Sequence, residues 1–240
     1  MVATYPALSS LQDLRLLEGP SVKFELGSGT TYLIPAALLC AHSGYFHERS
    51  ATFASGSVTR SGPIWSTDAF RMFIEYLFAT VNQELPKSTE SLRALVAAWN
   101  FGNDFDAKPF KNHVMTQIHE KLAWNPSLQG FEYTFTRAKV RMCLTKAVPG
   151  SILYRFILDT IGLQWHNAHQ IPHVQPGWIK VLDEFPELRL DLLAAISAAG
   201  SGSPTALPIG AYLEVLEPTT SSPREDGTPL RGPHSGGVKP

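Results

Sequence analysis

The sequence has 240 residues, of which 44% are hydrophobic and 10% aromatic, and its formal net charge is -1 at pH 7. That length and composition suffice for one large domain with a hydrophobic core. The near-neutral charge excludes the strongly basic face that binding to nucleic acid or to an anionic membrane surface requires.

The first predicted element is a β-hairpin around a glycine-rich loop. Apolar and polar residues alternate over 22–26, as in a half-buried strand, and a second extended run covers 31–34. The loop GSGTT could instead cradle a phosphate, but such a loop needs a lysine followed by Ser or Thr after its second glycine, and the nearest lysine is Lys23, upstream. We therefore predict a turn at 27–30.

Helices are predicted after the hairpin from apolar residues spaced three and four apart. Pro35 starts the first helix, and Ser66 or Thr67 caps a later one, after an extended piece at 64–65. We expect Gly102 to stop a helix and Asp106 to cap the next. The residues expected to face the core are Leu38, Leu39, Tyr45 and Phe46; Phe70, Phe73, Ile74, Leu77 and Phe78; Leu92, Leu95, Val96 and Trp99; and Phe110, Val114, Ile118 and Leu122.

A helical extension and a tail complete the predicted organisation. Ser151 caps one helix of the extension, and Pro186 restarts another. After residue 200 the sequence is rich in Pro, Gly and Ser, so we predict disorder, except for the apolar stretch IGAYLEVL at 209–216, which could dock. The apolar residues of the extension are Leu153, Phe156, Ile157 and Ile161; Trp178, Val181, Leu182 and Phe185; and Leu188, Leu192, Leu193 and Ile196.

The cysteines and the hydropathy indicate the compartment. Cys40 and Cys143 lie far apart in apolar surroundings, which predicts buried thiols in a reducing environment. The sequence does not start with the basic and apolar regions of a signal peptide, and it contains no run of about 18 apolar residues. We expect an intracellular protein of the cytoplasm or nucleus.

Candidate catalytic and metal-binding residues are few. His166, His169 and His173 could bind zinc together, but Pro172 interrupts the segment and no carboxylate or cysteine lies in it, so a polar connector is the alternative that we favour. Ser43 precedes a glycine without forming a nucleophile elbow. We expect no enzyme activity, no cofactor and no metal.

Three stretches together resemble the BTB/POZ family. They are YLIPAALLCAHSGYF at 32–46, STDAFRMFIEYLFATV at 66–81 and LRALVAAWNFGNDFDAKPFKNHVMTQI at 92–118. With the segment GSILYRFILDTIG and the tail, the chain is similar to the short BTB proteins of filamentous fungi. The resemblance implies an arm with a short helix at 1–19, a BTB/POZ domain at 20–123, a helical extension at 124–199 and a disordered tail at 200–240.

The resemblance also implies a fold and a function. The fold is α+β, a small mixed sheet flanked by helical hairpins, and the function is to hold proteins together, either by self-association or by binding a partner. Residues that would contribute are Leu11, Leu14 and Leu17 of the arm, with the first strand, and Phe46 and Phe53. Packing of the leucines on their own core remains an alternative.

A cullin scaffold is the second partner class that the family implies. Many cullin-binding members carry an apolar-x-acidic triplet, where this chain has Phe53-Ala54-Ser55, and the usual His-Lys pair is Pro35-Ala36 here. The alternatives to a self-associating module are therefore a substrate adaptor of a cullin-type ubiquitin ligase and an unrecognised enzyme.

Overall fold

A computed structural model describes eleven parts of the chain. They are residues 15–26, 29–53, 59–62, 66–82, 85, 90–122, 124–125, 130–131, 136–165, 176–199 and 208–216. Within them the chain is a mostly helical α+β protein with two small sheets. No helix of these parts is long and apolar enough to cross a membrane.

The larger sheet has three strands in the order β2-β1-β3. β1 (Ser21–Leu26) pairs antiparallel with β2 (Thr31–Pro35), which confirms the predicted hairpin, and pairs parallel with β3 (Thr59–Gly62) on its other side. Gly29 takes φ +79°, a left-handed conformation that favours glycine, and its N–H donates to the carbonyl of Leu26 over 2.8 Å. Gly29 and its hydrogen bond therefore support the predicted turn, while residues 27 and 28 lie outside the described residues.

Serine side chains cap the N-termini of some of the helices that follow the hairpin. Ser43 Oγ accepts from the N–H of Phe46, and Ser66 Oγ accepts from the N–H of Ala69, so each caps a helix N-terminus. The helices are α1 (Ala36–His42), α2 (Gly44–Glu48), α3 (Ser50–Phe53), α4 (Thr67–Asn82), α5 (Leu92–Asp104) and α6 (Lys108–Leu122).

The extension is helical, as predicted, after a two-stranded sheet that the sequence did not indicate. That sheet pairs β4 (Trp124–Asn125) with β5 (Gly130–Phe131). Ser151 caps α8 as expected, and Pro186 begins α10. The helices are α7 (Arg137–Lys146), α8 (Ile152–Trp165), α9 (Pro176–Glu184) and α10 (Pro186–Ala199), and a 3-10 helix, Ile209–Tyr212, lies near the end of the described chain.

One hydrophobic core runs through the described parts of the chain. It contains residues of the sheet, of α4 to α6 and of the extension, so the predicted domain boundary at residue 124 does not interrupt it. α5 packs on α7, and the 3-10 helix packs on both α6 and α8. The rings of His119 in α6 and Phe156 in α8 lie 5.8 Å apart across the predicted boundary.

Four local predictions are corrected by the structure. A strand forms at 59–62, where none was predicted, whereas the predicted extended piece at 64–65 lies outside the described residues. Gly102 does not stop α5, which continues to Asp104. Asp106 does not cap α6. It takes φ +45° in the turn before that helix, whereas an N-cap residue usually has an extended backbone. Leu193 is exposed, because α10 turns only Leu188 and Leu192 fully inward.

Candidate protein-interaction surface

The two faces of the larger sheet differ in character. Val22, Phe24 and Leu26 of β1 point into the core, as the alternating pattern predicted. On the other face Lys23 and Glu25 form an ion pair of 2.5 Å, with roughly two fifths of each side chain exposed (38% and 42%). Such an exposed pair contributes little to stability, about 0–1 kcal/mol, so this face is not held together by its charges.

β2 forms one edge of this sheet, and its central outward residue, Leu33, is apolar. Leu33 lies opposite Lys23 in the antiparallel ladder and is 64% exposed, although it is a large hydrophobic residue. Backbone groups alternate in direction along an antiparallel strand, and Leu26 donates to Thr30 at the hairpin end. By that alternation the N–H and C=O of Leu33 point away from β1, toward the outer edge, where no described residue pairs with them in the sheet.

The first strand occupies a different place from the one expected for a dimer contact. β1 lies in the centre of the sheet, with β2 on one side and β3 on the other. β2 pairs with β1 along Ser21–Glu25 and β3 along Lys23–Leu26, so most of both edges of β1 is used within the chain. A partner strand could instead pair with one of the edge strands, β2 or β3.

Only the end of the arm, residues 15–19, lies within the described residues. Leu17 is 38% exposed, in the turn that leads into β1, while Leu16 packs against the core. The carbonyl of Pro20 accepts from the N–H of Ala36 over 2.9 Å, which fixes the end of the arm beside the junction of β2 and α1. Leu11 and Leu14 lie outside the described residues.

Phe46 and Phe53 lie inside the protein, and this corrects their predicted role. Phe46 is 1% exposed and Phe53 is 2% exposed. The ring of Phe46 stacks on Phe105 at 5.3 Å and meets the edge of Phe24 at 5.8 Å. No partner can contact either ring without opening the core, so these two residues hold α2 and α3 in place rather than bind. For Phe46, the apolar pattern after the Ser43 cap was the sequence signal for burial.

A second group of exposed apolar residues lies on the extension. Ile179 of α9 and Leu190 and Leu193 of α10 are all more than half exposed. The sequence analysis missed this group because it assigned Leu193 to the core stripe. α10 carries leucines on more than one side, so its pattern did not distinguish the buried side from the exposed one.

A cleft of about 240 Å³ lies between α8, the start of α10 and the turn after α7. In it the hydroxyl of Tyr154 donates to Asp191 Oδ2 over 3.0 Å, and burial, reinforced by that hydrogen bond, raises the pKa of Tyr154 to about 12. The phenol therefore stays neutral near pH 7. The cleft is smaller than the roughly 300–1,000 Å³ of usual ligand sites.

Burial also shifts the pKa of titratable side chains outside the cleft. Burial lowers the pKa of His42 and of His113 to about 4, and it raises the pKa of the Cys143 thiol to about 12. Cys40, by contrast, is only half-buried. In the described ranges, no three His, Cys, Asp or Glu residues are grouped so as to hold a metal ion, and His166, His169 and His173 fall outside those ranges.

Neither a family model nor a curated protein matches this sequence. The resemblance to BTB/POZ domains therefore rests on the motifs, and the exposed edge of β2 with Leu33 is the strongest candidate for an interaction surface.

Proposed function

We propose that this protein is a non-enzymatic protein–protein interaction module of the BTB/POZ type, which associates with a second copy or a partner through the edge of its three-stranded sheet. The proposal is supported by the order of elements, a hairpin, short helices, a strand parallel to β1 and then three long helices, which agrees with the order that the resemblance implies.

The observation that carries the proposal is the edge of β2. A strand edge with an exposed large apolar side chain is a template for pairing with another strand, and proteins usually protect such edges with charges or proline. Here Pro35 lies only at the strand's end, and the central outward residue is Leu33. Pairing would satisfy the outward backbone groups, while burial of the Leu33 side chain would contribute roughly 1.5–3 kcal/mol.

The test is the molar mass in solution. Light scattering at micromolar concentration should give about twice the 26.4 kDa of one chain. Leu33→Lys should reduce the mass to that of one chain, because a lysine at an edge opposes strand pairing. The matched control is Leu190→Lys, an equally exposed leucine on α10, which should leave the dimer intact. A wild-type monomer, or a Leu33→Lys dimer as tight as wild type, would refute self-association through this edge.

The cullin-adaptor alternative has less support. Its apolar anchor would be Phe53, whose ring is buried, and the serine at position 55 replaces the acidic residue of the family triplet. A titration of the full chain against the N-terminal region of the BTB-binding cullin decides this alternative. Micromolar or tighter binding would establish the adaptor role. The absence of binding at about 100 µM cullin, a concentration at which even a weak complex would form, would exclude it.

A further inference from the structure

A short segment near the end of the described chain fills a groove between two helices. Residues 208–216, called here the strap, begin with the 3-10 helix and pack on α6 and α8. The groove that receives them, called here the α6–α8 groove, is lined by Lys111 and Asn112 of α6 and by Phe156 and Asp159 of α8. All four residues belong to α6 or α8.

Asn112 binds the backbone of the strap. Its Nδ2 donates to the carbonyl oxygen of Glu214 over 2.9 Å, and its Oδ1 accepts from the N–H of Glu214 over 2.8 Å. One side-chain amide thus satisfies both backbone groups of one residue. These two hydrogen bonds can form with the main chain of an extended residue whatever its side chain is. They resemble the backbone hydrogen bonds between paired strands, but here one side-chain amide makes both of them.

Lys111 binds the carboxylate of the strap. The side chain is almost fully buried, at 6% exposure, and its ammonium group donates to Glu214 and to Asn103 Oδ1, the latter over 3.0 Å. It also lies 4.7 Å from the centre of the Trp99 ring. A buried ammonium group needs a negative partner, and the strap supplies it through Glu214.

Asp159 and Phe156 bind the tyrosine of the strap. The hydroxyl of Tyr212 donates to Asp159 Oδ2 over 2.8 Å, and its ring meets Phe156 edge to face at 4.9 Å. Leu213 between them has an extended backbone, so residues 212 and 214 point to the same side, into the groove. Leu213 itself is half-buried and packs against the core, whereas Val215 is exposed. The groove thus binds the side chains of residues 212 and 214 of an extended segment.

We propose that the α6–α8 groove is a peptide-recognition site for extended segments with the pattern Tyr-x-Glu, and that the strap is its intramolecular ligand. A partner protein that presents this pattern competes with the strap for the groove. The proposal does not depend on the sheet edge, because it concerns other residues. The strap is joined to α10 through residues 200–207, so its effective concentration is about millimolar and a competing segment must overcome that advantage.

The first test vacates the groove in the full chain. The double variant Tyr212→Ala, Glu214→Ala removes the two side chains that hold the strap. A fluorescein-labelled peptide of residues 208–216, PIGAYLEVL, should bind this variant at least about tenfold more tightly than it binds wild type, in which the strap competes. Peptides with Tyr212→Phe or Glu214→Gln should bind more weakly than the parent peptide.

The matched control removes a groove residue instead. Asn112→Ala, added to the double variant, should abolish peptide binding, since it removes both backbone hydrogen bonds. Circular dichroism establishes that each variant is folded. A folded double variant that binds the peptide no better than wild type overturns the proposal, as does binding that survives Asn112→Ala.

A second measurement needs no variant and therefore applies even if the double variant fails to fold. In wild type, the Glu214 N–H is protected by Asn112, and its hydrogen exchange can be followed. Unlabelled peptide at several times the roughly millimolar effective concentration of the strap should accelerate that exchange, because it displaces the strap. An exchange rate unchanged by the peptide counts against a displaceable strap.

Discussion

The hydroxyl of Ser43 donates a hydrogen bond of 2.5 Å to the carbonyl oxygen of Phe105, and both residues are buried. The same oxygen of Ser43 accepts from the N–H of Phe46 over 3.3 Å. One side chain therefore caps α2 and joins it to the turn between α5 and α6. The stacked rings of Phe46 and Phe105 lie directly beside this link.

Ser43→Ala should lower the free energy of unfolding by about 1–3 kcal/mol, because it removes a helix cap and leaves a buried carbonyl with a poorer set of partners. Urea denaturation measures the change. Ser50→Ala is the control, since Ser50 is an exposed position of α3, and it should change stability by less than about 0.5 kcal/mol. Equal effects of the two substitutions would mean that the Ser43 link has no special role.

Gly102 is required by close packing inside α5. A Cβ at this position would lie 2.7 Å from Lys111 Cγ and 3.1 Å from Phe110 Cδ1. Alanine is favoured over glycine in a helix by about 1 kcal/mol, but overpacking of a buried site costs about 1–3 kcal/mol. We expect Gly102→Ala to lower the melting temperature, whereas Asp104→Ala, at the exposed end of the same helix, should leave it unchanged or raise it. A stabilised Gly102→Ala protein would show that Lys111 can move aside.

Phe73 lies in the middle of the aromatic core. It is fully buried and contacts the rings of Phe101, at 5.4 Å, and Phe110, at 5.1 Å. Phe73→Ala should lower the free energy of unfolding by about 3–5 kcal/mol. Phe78→Ala in the same helix removes the same atoms from a partly buried position and should cost clearly less. A similar loss at both positions would contradict the orientation of α4.

Two histidines, the buried His113 and the half-buried His42, flank the ring of Tyr76. The ring of His42 lies 5.7 Å from that of Tyr76, and the ring of His113 lies 5.3 Å from it. Thr80 donates its hydroxyl proton to Leu77, so its oxygen accepts from His42 Nε2, and no described residue partners His42 Nδ1. Among the described residues, burial is the cause that lowers the pKa of each ring, and no carboxylate raises it.

Acid should therefore destabilise the protein. Because burial lowers the pKa of both histidines from 6.5 to about 4, the unfolded chain takes up their protons first as the pH falls. Stability is retained above pH 6.5 and is lost as the pH falls from 6.5 toward 4, by up to about 3 kcal/mol for each histidine at 1.36 kcal/mol per pKa unit. Denaturation at pH 7 and pH 4.5 measures this change.

A double variant His42→Gln, His113→Gln identifies the source of the pH dependence. The decline between pH 7 and pH 4.5 should become shallower in this variant, whatever its stability at pH 7. Ile118→Val is the control, because it removes one buried methylene and should lower stability by about 0.5–1.5 kcal/mol equally at both pH values. An unchanged slope in the double variant would assign the acid sensitivity to carboxylates instead.

The sequence predicted those features that depend on local periodicity. The stripes of α4, α5 and α6 and the hairpin before them follow from residue spacing and turn chemistry, and the structure places nearly all of these residues in the core. The prediction that Gly102 ends a helix was wrong, because this glycine is needed for the close packing of Lys111, which the local sequence does not show. The prediction that Leu193 faces the core was wrong, because α10 carries leucines on more than one side and their spacing does not identify the buried side.

The candidate surfaces were harder to predict, because they depend on which elements meet. Nothing local to Phe53 shows that its ring faces Phe46, at 6.1 Å, instead of a partner. Likewise, the pairing of Lys111 and Asn112 with Glu214 joins residues about a hundred positions apart. The hydropathy of 209–216 indicated that the strap docks, but not where.

The continuous core has a consequence for how this chain can be divided. Since α7 covers α5 and the strap covers α6, the helices after residue 123 complete the interior of the first part of the chain instead of forming an appendage to it. A recombinant fragment that ends at residue 123 would expose to water the hydrophobic surface that α7 and the strap cover, and it would tend to aggregate. The smallest transplantable piece of this protein therefore extends from the first strand to the strap.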